Sequence, residues 1–196
     1  MRRHQYGHSL LELLIVIAII GLLVGIAFPA FSTYRRRNSM IAAAHELEAT
    51  LRFVRSRAIS RSTYAGIKFT GSGNKWTITV YDDGDGDGIR NDDIRNLIET
   101  IVGHPKPLMP QLQVARIGLL PFAIKDPDGD PLPPSKSPVQ FGTADICSFS
   151  PIGAGTPGSI YVTDDVGGLY CIRVLGASGR VRILRYDANR KKWETQ

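Results

Sequence analysis

From Leu10 to Phe31 every residue is apolar, glycine or proline, with the single exception of Glu12. A run of that length folds as a helix long enough to cross the hydrocarbon layer of a bilayer, where only an internal hydrogen-bond ladder satisfies the backbone. A carboxylate inside such a run is costly, so Glu12 is expected to serve a function and to need a partner. A short leader precedes the run, carries Arg2 and Arg3, and ends in Gly7. A secretory signal peptide has a shorter apolar core followed by a small-residue cleavage site. Here the core is longer, and Phe28-Pro29-Ala30-Phe31 offers no such site. An ordinary single-span anchor would leave Glu12 and the glycine-ended leader unexplained. Arg2 and Arg3 favour a cytoplasmic N-terminus, whereas Arg35, Arg36 and Arg37 at the other end favour the reverse.

The leader ending in Gly7, Glu12 at the fifth position after it, and Pro29 together resemble the N-terminus of type IV pilins and of the pseudopilins of type II secretion. The resemblance implies cleavage after Gly7 by a prepilin peptidase on the cytoplasmic face, which settles the orientation in favour of the leader. His8 then becomes the first residue of the mature chain and carries the amine that such enzymes methylate. The family usually has Phe or another large apolar residue where His8 stands. Pro29 falls where many pilins carry a helix-kinking proline. The implied setting is the inner membrane, crossed once, with the remainder of the chain in the periplasm or outside the cell within a filament. The implied partners are the prepilin peptidase and other pilin or pseudopilin subunits.

Behind the span lie about 160 residues, enough for one domain with its own core. The expected organisation is a leader over residues 1–7, a transmembrane and assembly helix over 8–31, an amphipathic helix over 32–61 and a β-rich head over 62–196. Met40, Ala44, Leu47, Leu51, Val54 and Ala58 recur at three- and four-residue steps, so one helical stripe is expected to lie on a sheet. No glycine or proline interrupts residues 32–61, so one long helix is expected, interrupted or bent at Pro29. After Ser62 the period changes. Residues 64–70 and 76–81 are β-prone runs joined by a glycine-rich hairpin loop. Further strands are expected over 97–102, 114–120, 146–149, 159–163, 169–174 and 181–186, with an exposed loop over 125–138. One helix followed by short strands predicts an α+β fold with antiparallel sheet. This layout, with Phe149-Ser150-Pro151-Ile152-Gly153 and Gly179-Arg180-Val181-Arg182, resembles the GspH/FimT family of minor pilins and pseudopilins.

Three features of the head carry chemistry. Asp83, Asp85 and Asp87 alternate with glycines, and Asn91 stands at the ninth position of the segment that Asp83 opens. Carboxylates so spaced can fold their oxygens round a hard cation such as Ca2+. The twelfth position is Ile94, where a calcium loop of the EF-hand type has a bidentate Glu, and an acidic hairpin turn is the alternative. Arg180 and Arg182 flank Val181, so a strand would place both guanidinium groups on one face, able to meet successive phosphates. In FimT-like minor pilins a pattern of this kind is associated with DNA capture. The basic balance, a net charge of +6, suits an acidic partner but sets no specificity. Cys147 and Cys171 are the two cysteines; in an oxidising compartment they permit one disulfide, with two free buried thiols as the alternative. The four histidines are scattered, no Ser/His/Asp or Cys/His arrangement can be argued, and no phosphate-binding loop occurs. The expected protein is therefore a structural subunit, not an enzyme.

Overall fold

The structure, a computed structural model, describes residues 10–72, 75–108 and 115–196, without the side chains of 26, 27, 29, 30 and 72. Gly7 and His8 lie outside the described residues. The long helix α1 runs Leu10–Arg61. Helical backbone continues through Pro29, so of the expected interruption or bend the helix shows no interruption. The chain divides into two compact units, Met1–Arg37 and Asn38–Gln196.

In the first unit Leu10, Leu13, Ile17, Ile20 and Leu23 are all exposed. Among the described residues no helix is long and apolar enough to cross a membrane. The guanidinium of Arg35 lies 6.0 Å from the centre of the Phe31 ring, within reach of a cation–π contact.

In the second unit the same helix is a core element. Met40, Ala43, Ala44, Leu47, Leu51, Val54 and Ala58 are each at most 2% exposed, which identifies the stripe as buried. The strands that follow are β1 (Ala65–Ser72) and β2 (Lys75–Asp82), then a short helix α2 (Asn91–Arg95), then β3 (Thr100–Pro107). They continue with β4 (Arg116–Ile117), β5 (Ile124–Lys125), β6 (Pro131–Leu132), β7 (Val139–Gln140) and β8 (Ile146–Phe149). The last four are β9 (Gly158–Thr163), β10 (Leu169–Leu175), β11 (Arg180–Asp187) and β12 (Lys192–Thr195). Every strand pairing is antiparallel, and the strands divide into two main sheets. One has the order β3-β2-β1-β8; the other has the order β12-β11-β10-β9-β4, with β7 also on β9. The result is the α+β, helix-then-antiparallel-sheet arrangement that the periodicity predicts.

One cluster joins the helix stripe to Ile67 and Phe69 of β1, Phe149 of β8, Ile172 and Val174 of β10, and Val181 and Ile183 of β11. Both sheets therefore close on α1. The alternate residues of the second sheet, Tyr161, Leu169, Cys171 and Tyr186, form a separate cluster with Leu120 and Leu132. Leu132 belongs to β6, so residues 125–138 are not simply an exposed loop. They carry part of a small β5–β6 hairpin whose apolar residues cover the outer face of the second sheet. The strand expected over 97–102 starts only at Thr100, because α2 and Leu97, at φ 58, turn the chain first.

The two cysteines show why the expected disulfide does not form. Both are free and buried. Cys147 lies in β8 within the helix-facing cluster, while Cys171 faces the opposite side of the second sheet. Strand alternation sends the two thiols into different layers. Burial raises both thiols, Cys171 to about 12, so neither is a ready nucleophile.

Candidate functional site

The segment between β2 and α2 is built on Asp83. Its Oδ1 accepts the backbone amides of Asp85 at 3.1 Å and Gly86 at 2.8 Å, and its Oδ2 accepts Gly88 at 3.0 Å. Gly86 and Gly88 take φ values of 92 and 95, a region that glycine enters without the strain a Cβ brings. The chain curls round one carboxylate, and the side chains of Asp83, Asp85 and Asp87 offer oxygens within 4.8 Å of one another. Burial pushes the Asp83 carboxyl up, but the amides of Gly86, Gly88 and Asp85 outweigh it and hold it below the ordinary value. Asp85 is shifted the other way, by loss of solvent and by the charge of Asp87 beside it.

Asn91, the fourth residue expected at this site, is engaged elsewhere. Its Oδ1 accepts the Lys68 ammonium at 2.6 Å, and Asn91 opens α2. An oxygen committed to a cationic side chain is a poor fourth ligand. Asp92, also in α2, pairs with Arg95 at the surface. Asp87 pairs with Arg90.

A residue that the spacing did not single out is hydrogen-bonded to the loop. Glu99 is 6% exposed, and its Oε2 accepts the amide of Gly84, between Asp83 and Asp85, at 3.1 Å. Its Oε1 is buried and meets no donor at full hydrogen-bond distance and angle among the described residues, the Arg90 amide acting on the carboxyl from nearby. Burial raises the Glu99 carboxyl first, the Gly84 and Arg90 amides lower it, and the charges of Asp83 and Asp85 raise it further. One oxygen of the carboxylate is thus tied to the acidic loop at Gly84. The available signal was a lone charged residue, Glu99, in the β-prone run Leu97-Ile98-Glu99-Thr100-Ile101-Val102. Next to the loop, Asp82 is held bidentate by Arg57 at 2.6 Å and by Arg61 at 3.1 Å, fastening the end of α1 to β2.

Arg180 and Arg182 lie on β11, exposed, with Val181 buried between them. They line an open groove of about 480 Å³ together with Arg52, Arg55 and Ser56 of α1. Arg55 is occupied: it donates to the carbonyl of Gly153 at 2.9 Å and to that of Ser178 at 3.1 Å. Gly179, at φ 57, packs so closely there that a Cβ would stand 2.0 Å from the Gly153 carbonyl oxygen. Arg52 pairs with Glu48 at 2.6 Å. Arg180 and Arg182 are left facing solvent at the groove's rim. Arg182 stands opposite Arg173 on β10, whose charge Asp128 neutralises.

In the first unit, Glu12 lies in the first turn of α1 and is exposed. A carboxylate there is favoured by the positive end of the helix. The side chain of Pro29 lies outside the described residues.

Comparison with known proteins adds to this layout. Residues 2–28 match the prokaryotic N-terminal methylation motif, and residues 43–109 match the type II transport protein GspH. A fimbrial protein, EcpC of Eikenella corrodens, is 50% identical over 40 residues, which is 20% of this chain. That match spans 26% of the relative's own length, so the chain answers to about a quarter of it. No solved structure matches. Both matches are to families of pilin or pseudopilin type, and they are consistent with the observed helix followed by antiparallel sheet.

Proposed function

We propose that this chain is a minor pilin or pseudopilin, a structural subunit of a type IV pilus or of a type II secretion pseudopilus. One observation carries the reading: a single helix, Leu10–Arg61, starts as an apolar surface bearing Glu12 and ends as the central core element of a β-rich head. The second part of that helix is satisfied by the head. The first part needs an apolar environment, and the run from Leu10 to Phe31 suits the inner membrane before assembly and like helices after it. Cleavage after Gly7 exposes the amine of His8. In the filament Glu12 pairs with the N-terminal amine of a neighbouring subunit, because a carboxylate in an apolar bundle draws an opposite charge to it. That attraction both recruits the incoming subunit and sets its register. Co-expression with a prepilin peptidase, followed by N-terminal sequencing, tests the proposal. A mature chain starting at His8 supports it; a chain still starting at Met1 overturns it.

A second reading rests on the groove between α1 and β11. Arg180 and Arg182 at its rim, in a chain of net charge +6, fit a role in capturing DNA at a pilus tip. Binding dominated by phosphate contacts weakens steeply with salt. Full-length protein in detergent, titrated with duplex DNA at two ionic strengths, decides it. No binding at low salt, or none lost in the Arg180→Ala/Arg182→Ala variant, leaves the structural role alone.

A further inference from the structure

The head contains a carboxylate that the filament reading does not use. Glu99 is buried, one of its oxygens meets no donor at full hydrogen-bond distance and angle among the described residues, and the other holds Gly84 inside the Asp83–Asp87 loop. A buried carboxylate with an unmet oxygen is costly, whether it is retained as a charge or neutralised by a proton. Gly84, which Glu99 holds, stands between Asp83 and Asp85, and the oxygens of Asp83, Asp85 and Asp87 converge within 4.8 Å of one another. Left alone, the three aspartates repel one another, and Asp83 and Asp85 also act on Glu99. Arg57 and Arg61, the basic side chains placed beside the loop by α1, are taken up by Asp82.

We propose that Asp83, Asp85 and Asp87 together with Glu99 form a binding site for one calcium-class divalent cation. Ca2+ takes six to eight oxygen ligands in flexible arrangements, and an irregular acidic loop with glycines between the carboxylates suits it better than the octahedron Mg2+ demands. Asp83 keeps its backbone amides and contributes remaining lone pairs, since a carboxylate has about four acceptor sites. Asp87 exchanges its surface ion pair with Arg90 for the cation. Glu99 supplies the carboxylate that Ile94, at the twelfth position, cannot. Backbone carbonyls and water complete the shell. The site draws only on the head, so a chain that is never cleaved after Gly7 leaves it standing.

The test is a calorimetric titration of the full-length protein in detergent micelles with calcium chloride, after stripping with chelator. Melting curves are recorded in calcium, magnesium, chelator and sodium chloride of matched ionic strength. The expected result is one saturable site, with melting raised by calcium, reversed by chelator, and little moved by magnesium or sodium. Glu99→Gln should weaken calcium binding by about tenfold or more, since affinity at such sites follows ligand charge. Its chelator-state melting temperature should not fall, because the amide keeps an acceptor for Gly84 and removes a buried charge. Asp85→Asn with Asp87→Asn should abolish saturable binding. Heat-free titration of wild type, or calcium affinity unchanged in Glu99→Gln, overturns the site as drawn. A response to magnesium equal to that for calcium overturns the assignment of the cation.

Discussion

The two parts of α1 have similar helical backbone and opposite surroundings. Leu10 is 82% exposed and Phe28 72%, whereas Leu51 and Val54 are 0% exposed. Burying such side chains stabilises by about 1.5–3 kcal/mol each, so the head realises a gain that the apolar end leaves open. A contiguous apolar surface of this extent marks a site of membrane or protein contact. The difference teaches that sequence apolarity alone does not show where a helix finds its partner. The stripe from Met40 to Ala58 finds it within the chain, and the run before it is exposed in the single chain.

The largest effect that can sharpen this contrast is a pair of truncations. Leu51→Ala should lower head stability by about 2–5 kcal/mol, because the site is fully enclosed by both sheets. Leu13→Ala should leave the head's unfolding midpoint in denaturant unchanged. Equal losses for the two would erase the distinction between the two parts of the helix.

The next effect concerns the end of the buried part. Arg57→Met removes the bidentate partner of Asp82 and leaves that buried carboxylate with Arg61 alone, at a cost of about 2 kcal/mol. Chemical denaturation of the variant against wild type measures it, and no loss would show that Arg61 suffices.

A smaller effect appears in the pH dependence of stability without added cation. The folded-state carboxyl of Glu99 is raised above its usual 4.5. Its contribution is therefore fully present below that value and is lost as pH rises through the raised folded value. Asp83 is held below its usual 3.8, so its contribution is present above that value and lost as pH falls through the depressed one. Glu99→Gln should flatten the decline on the alkaline side of pH 4.5 and leave the acid limb intact. An unchanged profile would remove Glu99 from the account. The smallest effect is expected from reductant: with both thiols free, dithiothreitol should not shift the melting temperature. A fall would reinstate the disulfide between Cys147 and Cys171.

The helix stripe was legible because core contact repeats at three- and four-residue steps, and each of its six positions is buried. The β1–β2 hairpin was legible from two β-prone runs flanking a glycine-rich turn, and its register pairs Ile67 with Val80. The division into two sheets was not. It depends on β1 meeting β8, some eighty positions later in the chain, and no local pattern encodes such a pairing. The β5–β6 hairpin was hidden in a Pro- and Asp-rich stretch, where Leu132 alone signals burial. At the acidic loop the three aspartates were legible from their spacing, but Asn91 was not separable from Glu99. Only tertiary folding gives the Asn91 oxygen to Lys68 and brings Glu99 to Gly84.

The central claim is that the apolar part of α1 is completed by neighbouring subunits, with Glu12 as the charge that registers them. The most direct measurement is the incorporation of Glu12→Ala into sheared, purified filaments, beside wild type, in cells expressing the remaining assembly components and the peptidase. The account predicts a variant that is membrane-inserted and cleaved after Gly7 but largely missing from the filament fraction. A variant that is cleaved and assembles as well as wild type would contradict it.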